Sequence, residues 1–215
     1  MGYADRTVAE IATSLPGATA VFRAPRIDYC CGGARPLGEA AAERLVPIEQ
    51  IEAELARLTP DAAATVPDST NALIEHILAR YHETHRSELP ELLRLAARVE
   101  ERHVGHAQVP AGLHAALQEL AGALDEHMAK EEQILFPRML HGGHPMINAP
   151  ISVMRGEHDE HGERLARIEA LTQGLQLPDD ACPTWRALYS GLRKLIDDVH
   201  EHVHLENNVL FPRFA

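Results

Sequence analysis

One twelve-residue pattern occurs twice in this chain, and few architectures other than a helical bundle accommodate both copies. The later copy is His202-Val-His-Leu-Glu206-Asn-Asn-Val-Leu-Phe-Pro212-Arg213. The earlier, 75 residues upstream, is His127-Met-Ala-Lys-Glu131-Glu-Gln-Ile-Leu-Phe-Pro137-Arg138. Both read H-x-x-x-E, two polar residues, a β-branched residue, then Leu-Phe-Pro-Arg. Each has an upstream partner with paired histidines: His82-Glu-Thr-His85 begins 45 residues before His127, and His158-Asp-Glu-His161 begins 44 before His202. From about residue 70 onward the chain reads as one helical hairpin written twice.

Residues four apart share one face of an α-helix, so His127 with Glu131, and His202 with Glu206, project in parallel. The surrounding apolar residues say where. Leu117, Leu120 and Leu124 lead into His127, Glu131 and Ile134, while Leu188, Leu192, Leu195 and Val199 lead into His202, Glu206 and Val209. The same stepping joins Leu78, His82, His85, Leu89, Leu92 and Ala96, and again Ile151, Met154, His158, His161, Leu165 and Ile168. Polar groups thus occupy seam positions of four helices that would otherwise be core.

Burying so many ionisable groups without partners costs several kcal/mol each or forces them neutral. A metal resolves this by accepting imidazole and carboxylate lone pairs together. One H-x-x-x-E alone is well explained by a hydrogen-bonded core pair; a duplicated set on four helices points to a metal. Nitrogen and oxygen donors suit iron, manganese or zinc.

The composition agrees. The 215 residues are 45% hydrophobic but only 4% aromatic, so the core is aliphatic, as suits helices. A formal charge of −12 argues against nucleic acid and anionic membrane surfaces as partners. No apolar run approaches the roughly 20 residues of a membrane span. Met1-Gly-Tyr-Ala-Asp-Arg6 lacks a basic-then-apolar leader, and three cysteines fit a reducing compartment. A cytoplasmic location is expected.

Residues 1–58 read as a small helical domain, with short helices over Thr7 to Ser14, Pro16 to Arg23, Pro36 to Leu45 and Pro47 to Leu58. Between them lies Asp28-Tyr-Cys30-Cys31-Gly-Gly33. Adjacent cysteines cannot readily pair. The glycines are expected to allow tight turning and to open the thiols to a partner, so reactive or metal-handling thiols are favoured over buried packing. Residues 59–70 read as a linker, and 71–215 as the bundle. Its first helix should run from Asn71 to Arg102, bent or broken at Pro90. The second should start near Pro110 and be interrupted at Pro137, the third run from Ile151 to Gln173, and the fourth from Thr184 to Phe211. Of the 14 histidines, His200 and His204 should point outward. His103, His106, His141 and His144 should be solvated, and His76 and His114 lie off the seam. His85 and His161 face inward, either supporting the ligands or packing the core.

These residues carry a resemblance. Asp28-Tyr-Cys-Cys-Gly-Gly33, Ile51-Glu-Ala-Glu-Leu55, Tyr81-His82, Lys130-Glu-Glu-Gln-Ile-Leu-Phe-Pro137, Ile151-Ser-Val-Met154, Glu157-His158-Asp159 and Leu205-Glu-Asn-Asn-Val-Leu-Phe-Pro212 resemble the di-iron family of iron–sulfur cluster repair proteins (repair of iron centres, YtfE/ScdA type). The likeness implies an all-α fold, a hemerythrin-like four-helix bundle with a small N-terminal helical domain. It implies two non-haem iron ions, oxo- and carboxylate-bridged, with His82, His127, His158 and His202 as ligands, two per iron, and Glu131 and Glu206 as bridges. It adds Glu157 as a cavity carboxylate. The chain departs from hemerythrins proper, which carry five histidines, and from ferritin-like bundles, which use Glu-x-x-His.

The resemblance implies repair of iron–sulfur clusters damaged by nitrosative or oxidative stress, by supplying iron, with Cys30 and Cys31 aiding transfer and Glu157 near the reacting centre. Damaged iron–sulfur proteins are the expected partners, nitric oxide is a candidate ligand, and a homodimer is compatible with the reading. Two alternatives stay open: reduction of nitric oxide to nitrous oxide, which would make the protein an enzyme, and sensing of nitric oxide or oxygen.

Overall fold

The computed structural model describes residues 2–58, 67–143 and 146–214. Among them the chain is helical, with one isolated antiparallel bridge, Thr7 to Pro36, and no strand. By compactness it divides into two units, Met1–Ile74 with His200–Ala215, and Glu75–Val199. Most of the expected linker falls outside the described residues.

The first unit contains α1 (Val8–Ser14), α2 (Ala18–Arg23), α3 (Leu37–Glu43) and α4 (Ile48–Leu55). Thr7 starts α1 with a capping box: its hydroxyl accepts from the Glu10 N–H, and the Glu10 carboxylate accepts from the Thr7 N–H. Such a cap stabilises by about 1 kcal/mol. Ile11, Phe22, Leu37 and Leu55 are buried among these helices, each contributing about 1.5–3 kcal/mol. The Cys-Cys-Gly-Gly loop is pinned to α1, whose Ala9 N–H donates to the Gly33 carbonyl at 2.8 Å. A Cβ on Gly33 would stand 2.8 Å from the Tyr29 carbonyl oxygen and 2.9 Å from the Ala9 Cβ. Gly33 therefore serves close packing, and neither it nor Gly32 takes up the positive-φ conformation a tight turn requires.

The second unit is built on α6 (Glu83–Arg102), α7 (Leu113–Lys130), α9 (Asn148–Leu171) and the part of α10 (Pro183–His204) up to Val199. α5 (Thr70–Ile77) leads into α6, and α8 (Phe136–Leu140) follows α7. α7 packs against α6 and α9. α10 lies close on α6, since a Cβ on Gly191 would come 2.5 Å from the Leu92 side chain. The seam residues Leu117, Leu120, Leu124, Leu188, Leu192, Leu195 and Val199 are all buried, as the stepping requires. Asp198 ties the same pair of helices, accepting from Arg80 at 2.7 and 3.2 Å and from Lys194 at 2.8 Å.

Proline does not act as its sequence position implies. α6 runs through Pro90 without a break. The irregularities lie elsewhere, in three π-helical turns: Leu78–His82, Glu131–Leu135 and Leu205–Leu210. A π turn holds an extra residue, so the next inward position comes later than in an α-helix. Ile134, expected on the seam, is 46% exposed, and Leu135 is buried in its place. In the second copy Leu210 is buried, whereas Val209 is only half-buried. The helix through His127 accordingly continues past Pro137, as α8 to Leu140, and is widened before the proline rather than interrupted at it.

Candidate metal centre

Both buried glutamates sit in a π turn, and both turns close the same way: the Phe136 N–H donates to the Glu131 carbonyl, and the Phe211 N–H to the Glu206 carbonyl. Each of those phenylalanines precedes a proline, which lacks an N–H and clashes with the carbonyl four residues back. Widening the turn relieves that clash. His82 closes the third π turn, Leu78–His82.

In the second unit His82, His127, His158 and Glu131 are all at most 1% exposed. The Glu131 carboxylate spans two imidazoles, Oε2 lying 3.4 Å from His82 Nε2 and Oε1 3.4 Å from His127 Nε2. His127 Nε2 in turn lies 3.1 Å from His158 Nε2. The ligand atoms of His127, Glu131 and His158 fall within 4.8 Å of one another. Donors that share a cation at about 2.0–2.2 Å stand about 3 Å apart, so these separations are those of a ligand set. One oxygen per imidazole is the disposition of a bridging carboxylate.

The far side of each ring explains its orientation. His82 Nδ1 lies 2.7 Å from Glu132 Oε1, and His127 Nδ1 lies 2.9 Å from Glu157 Oε2. A carboxylate only accepts, so Nδ1–H donates in both cases and Nε2 keeps its lone pair toward the interior. Glu132 also receives Arg86 at 2.7 Å, and Glu157 receives Lys130 at 2.5 Å. Burial pushes both carboxyls up, but these hydrogen bonds outweigh it and hold both below the usual carboxylate range. Carboxylates that orient metal-binding imidazoles are a recurrent arrangement. Glu157, expected in the cavity, instead stands behind His127, because its second oxygen is drawn outward to Lys130. Glu132 was not singled out in the sequence; its place directly after Glu131 is the only signal it gives.

The second copy of the motif lies in the first unit. His202 Nε2 is 3.0 Å from Glu206 Oε1, both side chains being buried. Here the residues after the glutamate turn to the thiol loop. The Asn207 amide donates to the Cys30 carbonyl at 3.1 Å and approaches Cys31 Sγ at 3.9 Å; the Asn208 amide donates to the Tyr29 and Cys30 carbonyls at 3.0 and 3.3 Å. Asp28 caps the loop from within, accepting from the N–H groups of Cys30, Cys31 and Gly32 at 2.9–3.1 Å. The two sulfurs are free thiols 3.8 Å apart. Cys30 is buried, and its thiol is pushed well up by its hydrogen bond to Cys31, by burial and by Asp28. The loop therefore presents a buried protonated thiol beside a half-buried one, not an open thiolate pair.

Other histidines divide unevenly. His85 and His161 are buried as expected. The His161 ring lies edge-on to His127 at 5.0 Å and His85 lies 6.4 Å from Tyr81, so both pack beside the ligand set. His204, expected to be outward and exposed, is 2% exposed, because its ring meets Tyr29 at 5.5 Å and its Nδ1 meets Asn208 at 3.0 Å. Burial lowers its pKa. His103 and His106, expected to be solvated, pack on Trp185 at 4.9 and 5.4 Å, and His103 Nε2 lies 3.2 Å from Cys182 Sγ. His141 is exposed, and His144 lies outside the described residues.

Three imidazoles and a carboxylate without thiolate fit a borderline divalent ion of the first transition row. The His127–His158 contact fits it too, since a cation there would replace the shared proton and collect both Nε2 lone pairs. Comparison with known proteins points the same way. Residues 73–214 match the hemerythrin HHE cation binding domain, and residues 4–59 match a domain of unknown function, DUF542. The chain is 47% identical over 215 residues to the iron–sulfur cluster repair protein YtfE of Escherichia coli strain UMN026, covering 99% of this chain and 98% of the relative; strain 536 gives the same values. The protein of that name from Shigella boydii strain Sb227 is 46% identical with the same coverage.

Proposed function

This chain belongs to the hemerythrin-domain family of iron–sulfur cluster repair proteins, and we propose that it restores iron–sulfur clusters damaged by nitrosative or oxidative stress by supplying iron. The reading rests on one observation above all: Glu131 offers a separate oxygen to each of two buried imidazoles, both oriented from behind by carboxylates. A carboxylate so placed serves two cations. The second half of the ligand set comes from the repeat. His202 and Glu206 continue on α10 the seam of Leu188, Leu192, Leu195 and Val199, as His127 and Glu131 continue that of α7. Four histidines and two glutamates then hold two iron ions, with both carboxylates bridging.

When bound, the iron pair supplies exchangeable ferrous ions. Nitrogen and oxygen donors hold iron less tightly than the thiolates of a cluster site, so transfer toward a damaged cluster runs downhill. The protein's own residues hold the ligands in register, keep water from the buried carboxylates and, through Cys30 and Cys31, meet the acceptor. Among the described residues no helix is long and apolar enough to cross a membrane, which accords with a cytoplasmic site of action.

The test is anaerobic loading with Fe(II), elemental analysis, and incubation with a nitric-oxide-damaged iron–sulfur dehydratase. Two irons per chain and recovery of dehydratase activity are expected, with iron lost from the donor as activity returns. Failure to take up more than one metal refutes the paired centre. Nitrous oxide formation with no reactivation would replace iron supply by nitric oxide reduction.

A further inference from the structure

The position following the buried glutamate does different work in the two copies, and in the second it reaches the thiols. We propose that Asn207 and Asn208 are positioning residues that make the exposure of Cys31 depend on metal at His202 and Glu206. The inference rests on the proposed metal centre and adds to it a mechanical link.

The link is short and continuous. Glu206 sits in the π turn Leu205–Leu210, which closes on its own carbonyl through the Phe211 N–H. Asn207 and Asn208 are the next two residues of that turn. Their side-chain amides together make three hydrogen bonds to the carbonyls of Tyr29 and Cys30, and the Asn207 amide lies against Cys31 Sγ. Cys30 and Asn207 are buried, while Cys31 is half-buried. The loop cannot yield on its inner side. Asp28 already takes the three N–H groups of residues 30–32, and a Cβ on Gly33 would meet the Tyr29 carbonyl at 2.8 Å. Movement of the π turn is therefore passed to the thiol loop through the asparagines or not at all.

Metal binding fixes the Glu206 side chain at two oxygens and His202 at one nitrogen, and so fixes the turn between them and Asn208. Loss of the metal releases that constraint, the amides leave the Cys30 carbonyl, and Cys31 opens. By linkage, a reagent that captures the opened thiol must in turn weaken metal binding by the same factor. An iron donor gains from this arrangement, because its thiols open as its cargo leaves.

The experiment is alkylation by iodoacetamide, read residue by residue by mass spectrometry. It is run on the full chain without metal and loaded anaerobically with Fe(II), with iron measured on the same sample. Cys31 should react about fivefold or more slowly in the loaded protein, in the range of ordinary coupling energies, while Cys182 reacts alike in both. In Asn207→Asp with Asn208→Asp, close in shape but lacking the amide donors, that difference should vanish with iron content retained. Asn207→Ala alone should reduce it and serves if the double variant folds poorly. Equal Cys31 rates in loaded and metal-free parent overturn the coupling and leave the metal centre standing. So does protection that persists in the variants, which would signify direct iron–thiol contact. A chain that takes up no Fe(II) overturns both.

Discussion

After Glu131 comes Glu132, whose carboxylate accepts from His82 Nδ1; after Glu206 comes Asn207, whose amide donates to the Cys30 carbonyl. The two copies share the buried acid, the π turn and the Phe-Pro that follows it. They differ at the first residue that faces away from the seam. In the first copy that residue faces another ligand and holds its ring. In the second it faces the thiol loop. A duplicated hairpin supplies two equivalent sets of donors, and the positions just behind the donors are where the halves acquire separate duties.

The largest effect tests what the copies share. Glu131→Ala and Glu206→Ala should each lower iron affinity by more than the about 10–100-fold typical of a group that only orients a ligand. Titration with Fe(II) followed by elemental analysis reads this. A loss confined to one variant would break the equivalence of the two acids. Next comes what they do not share. Glu132→Gln should weaken iron binding by about 10–100-fold, as should Glu157→Gln, which removes the same support from His127. Asn207→Ala should stay within about threefold. Matching losses in Glu132→Gln and Asn207→Ala would dissolve the distinction drawn here.

Smaller effects are expected from the inward residues beside the ligands. His161→Ala removes an edge contact to His127 and His85→Ala a contact to Tyr81; each should cost about tenfold or less in iron affinity. If either equals Glu131→Ala, that histidine binds metal.

The smallest effect belongs to neither copy and marks the baseline. Burial pushes the Asp198 carboxyl up, but Arg80 and Lys194 outweigh it and hold it below the usual range. A carboxyl depressed in the folded state stabilises above its unfolded pKa, about 3.9, and that contribution disappears as pH falls through the folded value. Asp198→Asn should cost about 1 kcal/mol at pH 7, since Arg80 is half exposed and screened, and should flatten the acid side of the stability profile. Urea melts at pH 7 and pH 3.5 would show a constant deficit if the carboxylate contributes nothing.

The seam was legible in the sequence because apolar residues three and four apart announce a face, and His82, His127, Glu131, His158, His202 and Glu206 fall on it. The π turns were not, since one extra residue in a turn leaves no periodic trace; Ile134 and Leu135 exchange places for that reason. Pro90 gives the same written signal as Pro137, yet α6 absorbs it within an ordinary helix. Glu132 and Glu157 could not be ranked from sequence. Which acid stands behind which imidazole depends on the neighbouring helix. His204 was misjudged because the helical wheel shows only that it leaves the seam, and Tyr29, 175 residues earlier, is what covers it.

The widened turns also change what kind of mutation matters. Substitution tests a side chain and leaves the frame of the helix intact. Deleting one residue between Gln133 and Leu135 would instead return that stretch to α-helical pitch, rotating everything beyond it by about 100° and forcing Pro137 against an unrelieved carbonyl. Glu131 would keep its place while Phe136, which stacks on His82 at 5.9 Å, lost its own. For anyone transplanting these six donors into an idealised bundle, the number of residues in each turn is part of the blueprint, along with their identities.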